Sequence, residues 1–402
     1  DRDHAALRRA LRAALATAGR GRFTIGAAHE DVHSAVEDWL TREVGEAGAR
    51  VHTGRSRNDQ VACDLRLYLK DTLLELHGAG TRLAAGLVDF AARHRTALWP
   101  GYTHQRRAMP SSAGLWAAGL AETLITALEA VGPLWARVDR SPLGTAAGYG
   151  VPLPLRREAA MRALGFASLD QAVTTTQLSR GQLETAVLAW CVDLAHAASR
   201  CAADVVLLSS EEFGFLVLPP ELATGSSIMP QKQNPDLFEL TRARAAALDG
   251  DLAAVLQLKG KLTSGYHRDF QLLKEPLFRG LDRTGEMLVM MAHAVPRLAV
   301  DRERGMAALR GDALVTDEVM RRVEAGQPFR SAYRAVAAEV KEGVIFLVPS
   351  AADLVRRRRS TGGLGNLGLP GFRGRVAALR RWERRERTRF DRAMAHLAGR
   401  TR

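Results

Sequence analysis

The chain has 402 residues and a net charge of +13, with 47% apolar and only 6% aromatic residues. This length exceeds what one hydrophobic core usually serves, so two or three packed regions are expected. Alanine and leucine dominate the apolar residues, which favours helices packed on helices over sheets of β-branched residues. No uninterrupted apolar run approaches the roughly eighteen residues of a membrane span, and the first twelve residues lack the apolar core of a signal peptide. A soluble cytoplasmic protein without a membrane segment is predicted.

The positive charge is concentrated at the C-terminal end. Residues 351–402 contain fifteen arginines against four acidic residues, whereas the rest of the chain is nearly neutral. Lysine is rare throughout, with six lysines among the 57 basic residues. Such a skew indicates a whole-chain preference for arginine and argues against nucleic acid as a partner. Nucleic-acid binding that falls steeply with salt, and that disappears when 351–402 is deleted, would support the opposite interpretation.

The three cysteines, Cys63, Cys191 and Cys201, are odd in number, lie in apolar helical contexts and have no C-x-x-C spacing. A disulfide framework or a zinc ribbon is therefore not expected, and a reducing compartment fits the chain.

The first chemical pattern along the chain is His29-Glu30-Asp31-Val32-His33, which matches the helical H-E-x-x-H zinc motif of metalloproteases. The match is short, and the acidic residues that follow form no pattern typical of a third zinc ligand. A solvated, acid-rich helix start accounts for the segment better, so no metal is expected. Stoichiometric zinc on His29 and His33 in the purified protein would support the protease alternative.

Residues 52–60 read HTGRSRNDQ and place two arginines, a serine and an asparagine just before a periodic helix. Arginine pairs with carboxylates through two parallel hydrogen bonds and asparagine offers two donors, so a carboxylate site is one interpretation. The other is that Ser56 caps the helix while Arg55 and Arg57 stay in solvent.

Five long helices are predicted from apolar periodicity. The clearest face joins Leu69, Leu73, Leu83 and Phe90, a second runs through residues 183–208, and weaker ones cover roughly 112–138, 237–262 and 276–300. Helices of about 25 residues are roughly 38 Å long, which favours an elongated bundle over a compact globule. Apolar stripes this long are typical of surfaces that are buried against other subunits.

Two polar segments interrupt these helices. Residues 101–112, GYTHQRRAMPSS, place Thr103 and His104 after a glycine turn, where a histidine alone indicates little. Residues 223–236, ATGSSIMPQKQNPD, could simply be a helix-capping loop. Two details favour a functional loop: Lys232 supplies a compact charge in an arginine-rich chain, and Gly225 before paired serines lets backbone N–H groups approach an anion.

Three motifs, in this order, resemble those of the fumarase/aspartase superfamily in its argininosuccinate lyase branch: HTGRSRND at 52–59, GYTHQRRAMP at 101–110 and GSSIMPQKQNPD at 225–236. Weaker similarity extends from about residue 23 to 337, which is roughly four fifths of the chain. The resemblance implies an enzyme that eliminates fumarate from argininosuccinate and releases arginine, as in arginine biosynthesis, without a cofactor.

The same resemblance implies an all-α fold, with an elongated central bundle of long helices and small N- and C-terminal helical regions. We place the boundaries at 1–55, 56–298 and 299–402. It also implies a homotetramer in which each site combines loops of three subunits, which would explain why the motifs lie so far apart in the sequence.

The resemblance further assigns site residues. Five positions match catalytic residues of the family: Ser226, His104, Lys232, Glu239 and Asn234. Eight match residues that bind substrate: Arg55, Ser56, Arg57, Asn58, Thr103, Tyr266, Gln271 and Lys274. The first three of these eight would surround the succinate carboxylates, and the last three would hold the amino-acid end.

The chemistry explains why such residues are needed. The proton that is lost lies next to a succinyl carboxylate and is very weakly acidic, so its removal builds negative charge that Lys232, Asn234 and loop N–H groups would stabilise. Ser226 would act as the base, activated by Lys232 in a closed, dry site. His104, oriented by Glu239, would protonate the leaving nitrogen, although the opposite assignment of base and acid stays open.

Several residues depart from the family pattern. Gln233 replaces a second lysine, Ser179-Arg180 replaces an Asp-Arg pair, and residues 1–21 show no counterpart of a substrate-binding serine. A changed amine specificity would follow. The second hypothesis is therefore another fumarate-releasing lyase that acts on a related N-succinyl amine.

Overall fold

The computed structural model describes residues 2–399, and within them most residues lie in sixteen α-helices. The predicted all-α class is confirmed. In chain order the helices are α1 (Arg2–Gly19), α2 (Val32–Val44), α3 (Glu46–Ala49), α4 (Arg57–Arg93), α5 (Ala113–Glu129), α6 (Val131–Val138), α7 (Arg157–Ala163), α8 (Thr175–Leu178), α9 (Gln182–Leu208), α10 (Asp236–Lys259), α11 (Lys274–Ala294), α12 (Arg302–Ala308), α13 (Val315–Glu324), α14 (Phe329–Lys341), α15 (Ala351–Arg357) and α16 (Leu369–Leu397).

Short strands pair in three places in the described residues. A hairpin joins β1 (Leu98–Thr103) to β2 (Arg106–Ser112), β3 (Arg140–Ser141) pairs in parallel with β4 (Ser168–Leu169), and β5 (Leu216–Val217) pairs antiparallel with β6 (Ala299–Val300). The sequence patterns predicted none of these strands. Strands β3 to β6 are only two residues long, which is too short for a periodic pattern.

Helix α4 is the axis of the bundle. Its 37 residues span about 55 Å at 1.5 Å rise per residue. The predicted apolar face is buried, with Leu69, Leu73, Leu83 and Phe90 all within the main hydrophobic core. Helices α5, α11 and α16 pack directly against α4, and α9 and α10 complete the bundle beside them. Four of the five predicted long helices are present as single helices, whereas the one predicted over roughly 112–138 is divided at Ala130 into α5 and α6.

The long helices alternate in direction. Arg66 near the start of α4 reaches Ser179 just before α9, and Tyr68 of α4 packs on Phe278 in the second turn of α11. At the other end, Asp204 near the end of α9 accepts a hydrogen bond from Trp116 at the start of α5. Helices α4, α9 and α11 therefore run one way, while α5, α10 and α16 run the other. We call the end of the bundle where α4 begins the proximal end, and the end where α4 finishes the distal end.

One stretch, Ala113–Val138, is long and apolar enough to cross a membrane by length and hydropathy. It spans α5 and α6, and Leu124, Ile125 and Leu128 are fully buried in the core beside α4 and α9. The core helix of a helical protein meets the same criteria, so this stretch is explained by packing.

The arginine-rich end forms α16, which lies along α4. Arg387 pairs with Asp71 of α4, and Arg375 pairs with Glu129 of α5 at 2.7 Å. Part of the C-terminal positive charge therefore fastens the last helix to the bundle. The division at 55 and 298 remains a proposal.

A buried lysine joins α4 to three other segments. Lys70 is 2% exposed, and its Nζ donates to Asp139 at 2.6 Å and to the Gly165 carbonyl at 2.7 Å. The rings of Trp135, Phe166 and Phe390 surround the ammonium group at 4.8–5.8 Å. Burial lowers the pKa of Lys70, and the bond to Asp139 opposes this effect. Since neither charge reaches solvent, each depends on the other.

Replacing Lys70 with methionine is expected to lower the free energy of unfolding by about 3–5 kcal/mol, because Asp139 then stays buried without its cation. The measurement is thermal or denaturant unfolding at one fixed protein concentration. Adding Asp139→Asn to Lys70→Met removes the orphaned charge and is expected to recover part of the loss. A single variant as stable as the parent would contradict the interpretation.

Candidate active site

The H-E-x-x-H pattern does not form a zinc motif. His29 lies in the loop before α2, so the two histidines do not share a helix. The Nε2 of His29 lies 3.4 Å from Asp38, and the Nε2 of His33 lies 3.1 Å from Asp64. Within residues 2–399 no group of three or more His, Cys, Asp or Glu side chains is placed to hold a metal ion. The geometry therefore speaks against the metalloprotease alternative.

A cavity of about 520 Å³ lies at the proximal end, a size typical of small-molecule sites. It is formed where the starts of α2, α4 and α11 meet the 3₁₀ turn Arg268–Leu273. Five of the predicted site residues line it: Arg57, Asn58, Tyr266, Gln271 and Lys274.

Three of these residues form a chain of hydrogen bonds. The amide of Gln271 donates to the Tyr266 hydroxyl at 2.8 Å, and the Lys274 ammonium donates to the Gln271 carbonyl oxygen at 2.8 Å. Burial and the nearby charge of Arg180 lower the pKa of Lys274, while Asp31 opposes them. Lys274 is the first residue of α11, so the helix dipole adds positive potential at the same point. This wall of the cavity is suited to a carboxylate.

Arg180 belongs to the same wall but was not among the predicted site residues. It is 8% exposed, its Nε donates to Glu184 at 3.0 Å, and its guanidinium lies 5.2 Å from the Phe270 ring centre. Ser179, which stands where the family has Asp, was considered for amine specificity. Arg180 beside it was not predicted to belong to the site.

Acidic residues also line the cavity, and they were missed as well. Glu30, Asp31 and Asp64 line the cavity together with His33. Glu30, Asp31 and His33 were considered only as part of a metal motif, and Asp64 was not considered, because sequence spacing does not reveal that the start of α2 lies beside the start of α4. The cavity thus combines cationic and anionic groups, as an amino-acid zwitterion requires.

The RSRN segment begins α4. The Ser56 hydroxyl accepts from the Asn58 N–H at 3.3 Å and caps the helix, as one of the two interpretations held. Arg57 donates to Glu37 and Gln60 at 3.0 Å, so its guanidinium is engaged by the protein. Arg55 is exposed. Of this segment, Arg57 and Asn58 line the cavity.

Thr103 and His104 lie at the tip of the β1–β2 hairpin. His104 and Gln105 form its two-residue turn with φ of 53° and 57°, a conformation that costs non-glycine residues energy. Tyr102, one residue before Thr103, packs edge to face on Phe213 with ring centres 5.4 Å apart. The side chains of Thr103 and His104 are exposed at the distal end.

Ser226, Lys232 and Asn234 lie in the loop before α10, also at the distal end. Two backbone hydrogen bonds close the loop, because Thr224 and Asn234 exchange N–H to carbonyl contacts at 3.1 Å and 2.8 Å. The Ser226 hydroxyl accepts from the Met229 N–H at 3.1 Å, and Lys232 projects into solvent. Glu239 lies in the first turn of α10, 3.8 Å from Arg242, and within the described part of one chain no hydrogen bond joins it to His104.

One chain therefore separates the predicted residues into two groups. The proximal group, which contains Asn58, Tyr266, Gln271 and Lys274, lines a cavity where α4 begins. The distal group, which contains Thr103, His104, Ser226, Lys232, Asn234 and Glu239, lies beyond the point where α4 ends. The length of α4, about 55 Å, lies between them.

Comparison with known proteins agrees with the three motifs. The sequence profile of a family described as lyase matches residues 2–250. An argininosuccinate lyase from Sorangium cellulosum is 45% identical over 340 residues, covering 85% of this chain and 78% of that protein. One from Parabacteroides distasonis is 40% identical, covering 89% and 79%. An EDDS lyase crystallised with formate superimposes with a TM-score of 0.85 at 25% identity, covering 99% of this chain and 86% of that one. The chain belongs to the argininosuccinate lyase family.

Proposed function

We propose that this protein eliminates fumarate from argininosuccinate and releases arginine. The observation that carries the proposal is the 45% identity to an argininosuccinate lyase over 85% of the chain. The three motifs with Asn58, His104 and Ser226 lie within the residues that the lyase profile matches, which supports their assignment to elimination.

The proximal cavity supports this substrate. The arginine half of argininosuccinate ends in an α-carboxylate and an α-ammonium group, which need opposite charges close together. Lys274 and Gln271 offer donors to the carboxylate, and Asp31 and Glu30, which line the same cavity, offer acceptors to the ammonium group. Arg180 adds a second cation beside Lys274.

The distal group supplies the chemistry in this proposal. Ser226 removes the Cβ proton, and Lys232, Asn234 and loop N–H groups stabilise the charge that develops on the succinyl carboxylate. Ser226 and Lys232 lie in an exposed loop, so the loop has to close over the substrate to desolvate the base. His104 then protonates the leaving nitrogen, and the electron pair of the broken C–H bond forms the double bond of fumarate.

We also propose a homotetramer, in which the distal groups of neighbouring subunits complete each proximal cavity. The length of α4, about 55 Å, supports this, because it separates Asn58 from His104 within one chain. Exposed large apolar side chains on the bundle support it as well: Leu207, Leu240, Leu256, Val289 and Met290.

A cytoplasmic location is proposed with it. The three cysteines are free and buried, and burial raises the pKa of the Cys63 and Cys191 thiols to about 12. Thiols kept reduced in this way suit a reducing compartment.

The second candidate function is a fumarate-releasing lyase for another N-succinyl amine. The likeness to an EDDS lyase and the presence of Gln233 and Ser179 favour it. Both candidates share the fumarate-forming step and differ in the amine that is released.

One assay tests the function. Incubating the protein with argininosuccinate is expected to release fumarate, followed by ultraviolet absorbance, together with an equal amount of arginine. Fumarate formed only from other N-succinyl amines would support the second candidate. No fumarate from any of these substrates would contradict both.

Replacing Ser226 with alanine is expected to lower kcat by at least about a hundredfold, because the base is lost. KM should move little, since the amino-acid end binds in the proximal cavity. Solvent deuterium exchange at the substrate Cβ should stop in Ser226→Ala and persist in His104→Asn. The reverse exchange pattern, or near-normal turnover of Ser226→Ala, would show that base and acid are assigned wrongly.

Coexpression of two inactive variants tests the shared site. With Asn58→Ala and His104→Asn, randomly mixed tetramers are expected to regain about a quarter of the parent activity, because that fraction of sites draws both parent residues. The matched control pairs Asn58→Ala with Lys274→Met. These two residues line one cavity of one chain, so every site keeps a defect and no activity should return. A first pair without activity, or a sedimentation experiment that finds a fully active monomer, would refute the shared site.

A further inference from the structure

Asp59 follows the proposed substrate-binding residue Asn58 and is completely buried, with 0% of its surface exposed. Its carboxylate accepts three backbone hydrogen bonds. Oδ1 accepts from the Ser56 N–H at 3.0 Å, while Oδ2 accepts from the N–H groups of Gly144 and Ala146 at 2.8 Å and 2.9 Å. No lysine or arginine forms a salt bridge with it in residues 2–399, so backbone dipoles balance its charge.

The segment that meets Oδ2 is an anion-binding turn. Gly144, Ala146 and Gly148 all have positive φ, at 88°, 52° and 105°, and this alternation turns nearby N–H groups to one side. Unlike the two glycines, Ala146 has a Cβ, so a positive φ strains its backbone. A specific contact therefore has to hold Ala146 in this conformation. Asp59 is that anion. The turn is therefore occupied by a side chain of the protein itself.

The turn lies beside a segment that lines the proximal cavity. Tyr149, which is 73% exposed, reaches the segment before Tyr266, since a Cβ at Gly265 would lie 3.5 Å from its hydroxyl. Gly148 packs against Gln177, three residues before Arg180. One oxygen of Asp59 thus fixes the turn that carries Asn58, and the other fixes a loop that lies against the Tyr266 side of the cavity.

We propose that Asp59 is a positioning residue for substrate binding: its carboxylate sets the spacing between Asn58 and the Tyr266 wall. The inference rests on the proposed function and adds a residue that touches no substrate. An asparagine cannot replace it. Its amide has one acceptor oxygen, so in either orientation the NH₂ group faces N–H donors, at Ser56 or at Gly144 and Ala146.

The test compares Asp59→Asn with Asp139→Asn. Both carboxylates are buried, Asp139 being 3% exposed, and both variants should lose stability. Asp139 holds Lys70, about 18 Å along α4 from Asn58, and serves as the matched control. Asp59→Asn is expected to raise KM for argininosuccinate at least about tenfold with a smaller change in kcat, and to speed amide hydrogen exchange at Gly144 and Ala146. Asp139→Asn should do neither.

If Asp59→Asn fails to fold, Tyr149→Ala provides the same measurement, because an exposed side chain is removed at little cost in stability. It too should raise KM. If Asp59→Asn folds and its KM is unchanged, the inference is overturned while the proposed function stays intact. If Asp59→Asn does not fold, an unchanged KM in Tyr149→Ala has the same meaning. Equal KM values in Asp59→Asn and Asp139→Asn would also overturn the inference and leave the proposed function intact. Absence of fumarate release by the unaltered protein would overturn the proposed function and this inference together.

Discussion

Helix α4 sets the distance on which the proposed site depends. Its first turn contains Asn58, and the hairpin with His104 follows after the end of this 37-residue helix. A continuous helix holds its ends apart, and α5, α11 and α16 pack along α4. In the proposed site, the groups that bind the substrate lie at one end of α4, and the groups that transfer protons lie at the other. Neither end contains a complete set of groups, so the proposed catalysis becomes a property of the assembly.

The proximal end is organised by buried charges that are fully engaged. Arg66 bonds Asp170 at 2.8 Å, Arg180 bonds Glu184, Lys70 bonds Asp139, and Asp59 binds backbone N–H groups. Each buried ion has a specific geometry to satisfy, so these contacts fix the segments between α4 and α9 to one arrangement. The cavity walls rest on that arrangement, whereas the distal loop with Ser226 has only two backbone hydrogen bonds at its base. In the proposed enzyme, buried ion pairs hold the end that binds the substrate, whereas the loop that has to close is largely exposed.

Sequence patterns predicted the fold well where a single periodicity decides the structure. The apolar face from Leu69 to Phe90 predicted α4, and the capping preference of Ser56 indicated its first residue. The hairpin at His104 was missed because its turn has positive φ at His104 and Gln105, which lack the usual Asn-Gly signal. The acidic cavity residues and Arg180 were missed for another reason. They come from segments more than a hundred residues apart, and only the tertiary packing brings them together.

The scarcity of lysine has a chemical consequence. Of the six lysines, Lys70 is sealed inside the bundle and Lys232, Lys261 and Lys341 are exposed, while the arginines that dominate the surface keep their proton and do not act as nucleophiles. An acylating metabolite or amine-directed reagent therefore meets few reactive amines on this protein. One of them, Lys232, lies in the loop that we expect to close over the substrate, and Lys274, with its lowered pKa, lies in the cavity. The few amines that electrophiles can reach therefore include two ammonium groups whose loss the proposed enzyme would tolerate poorly.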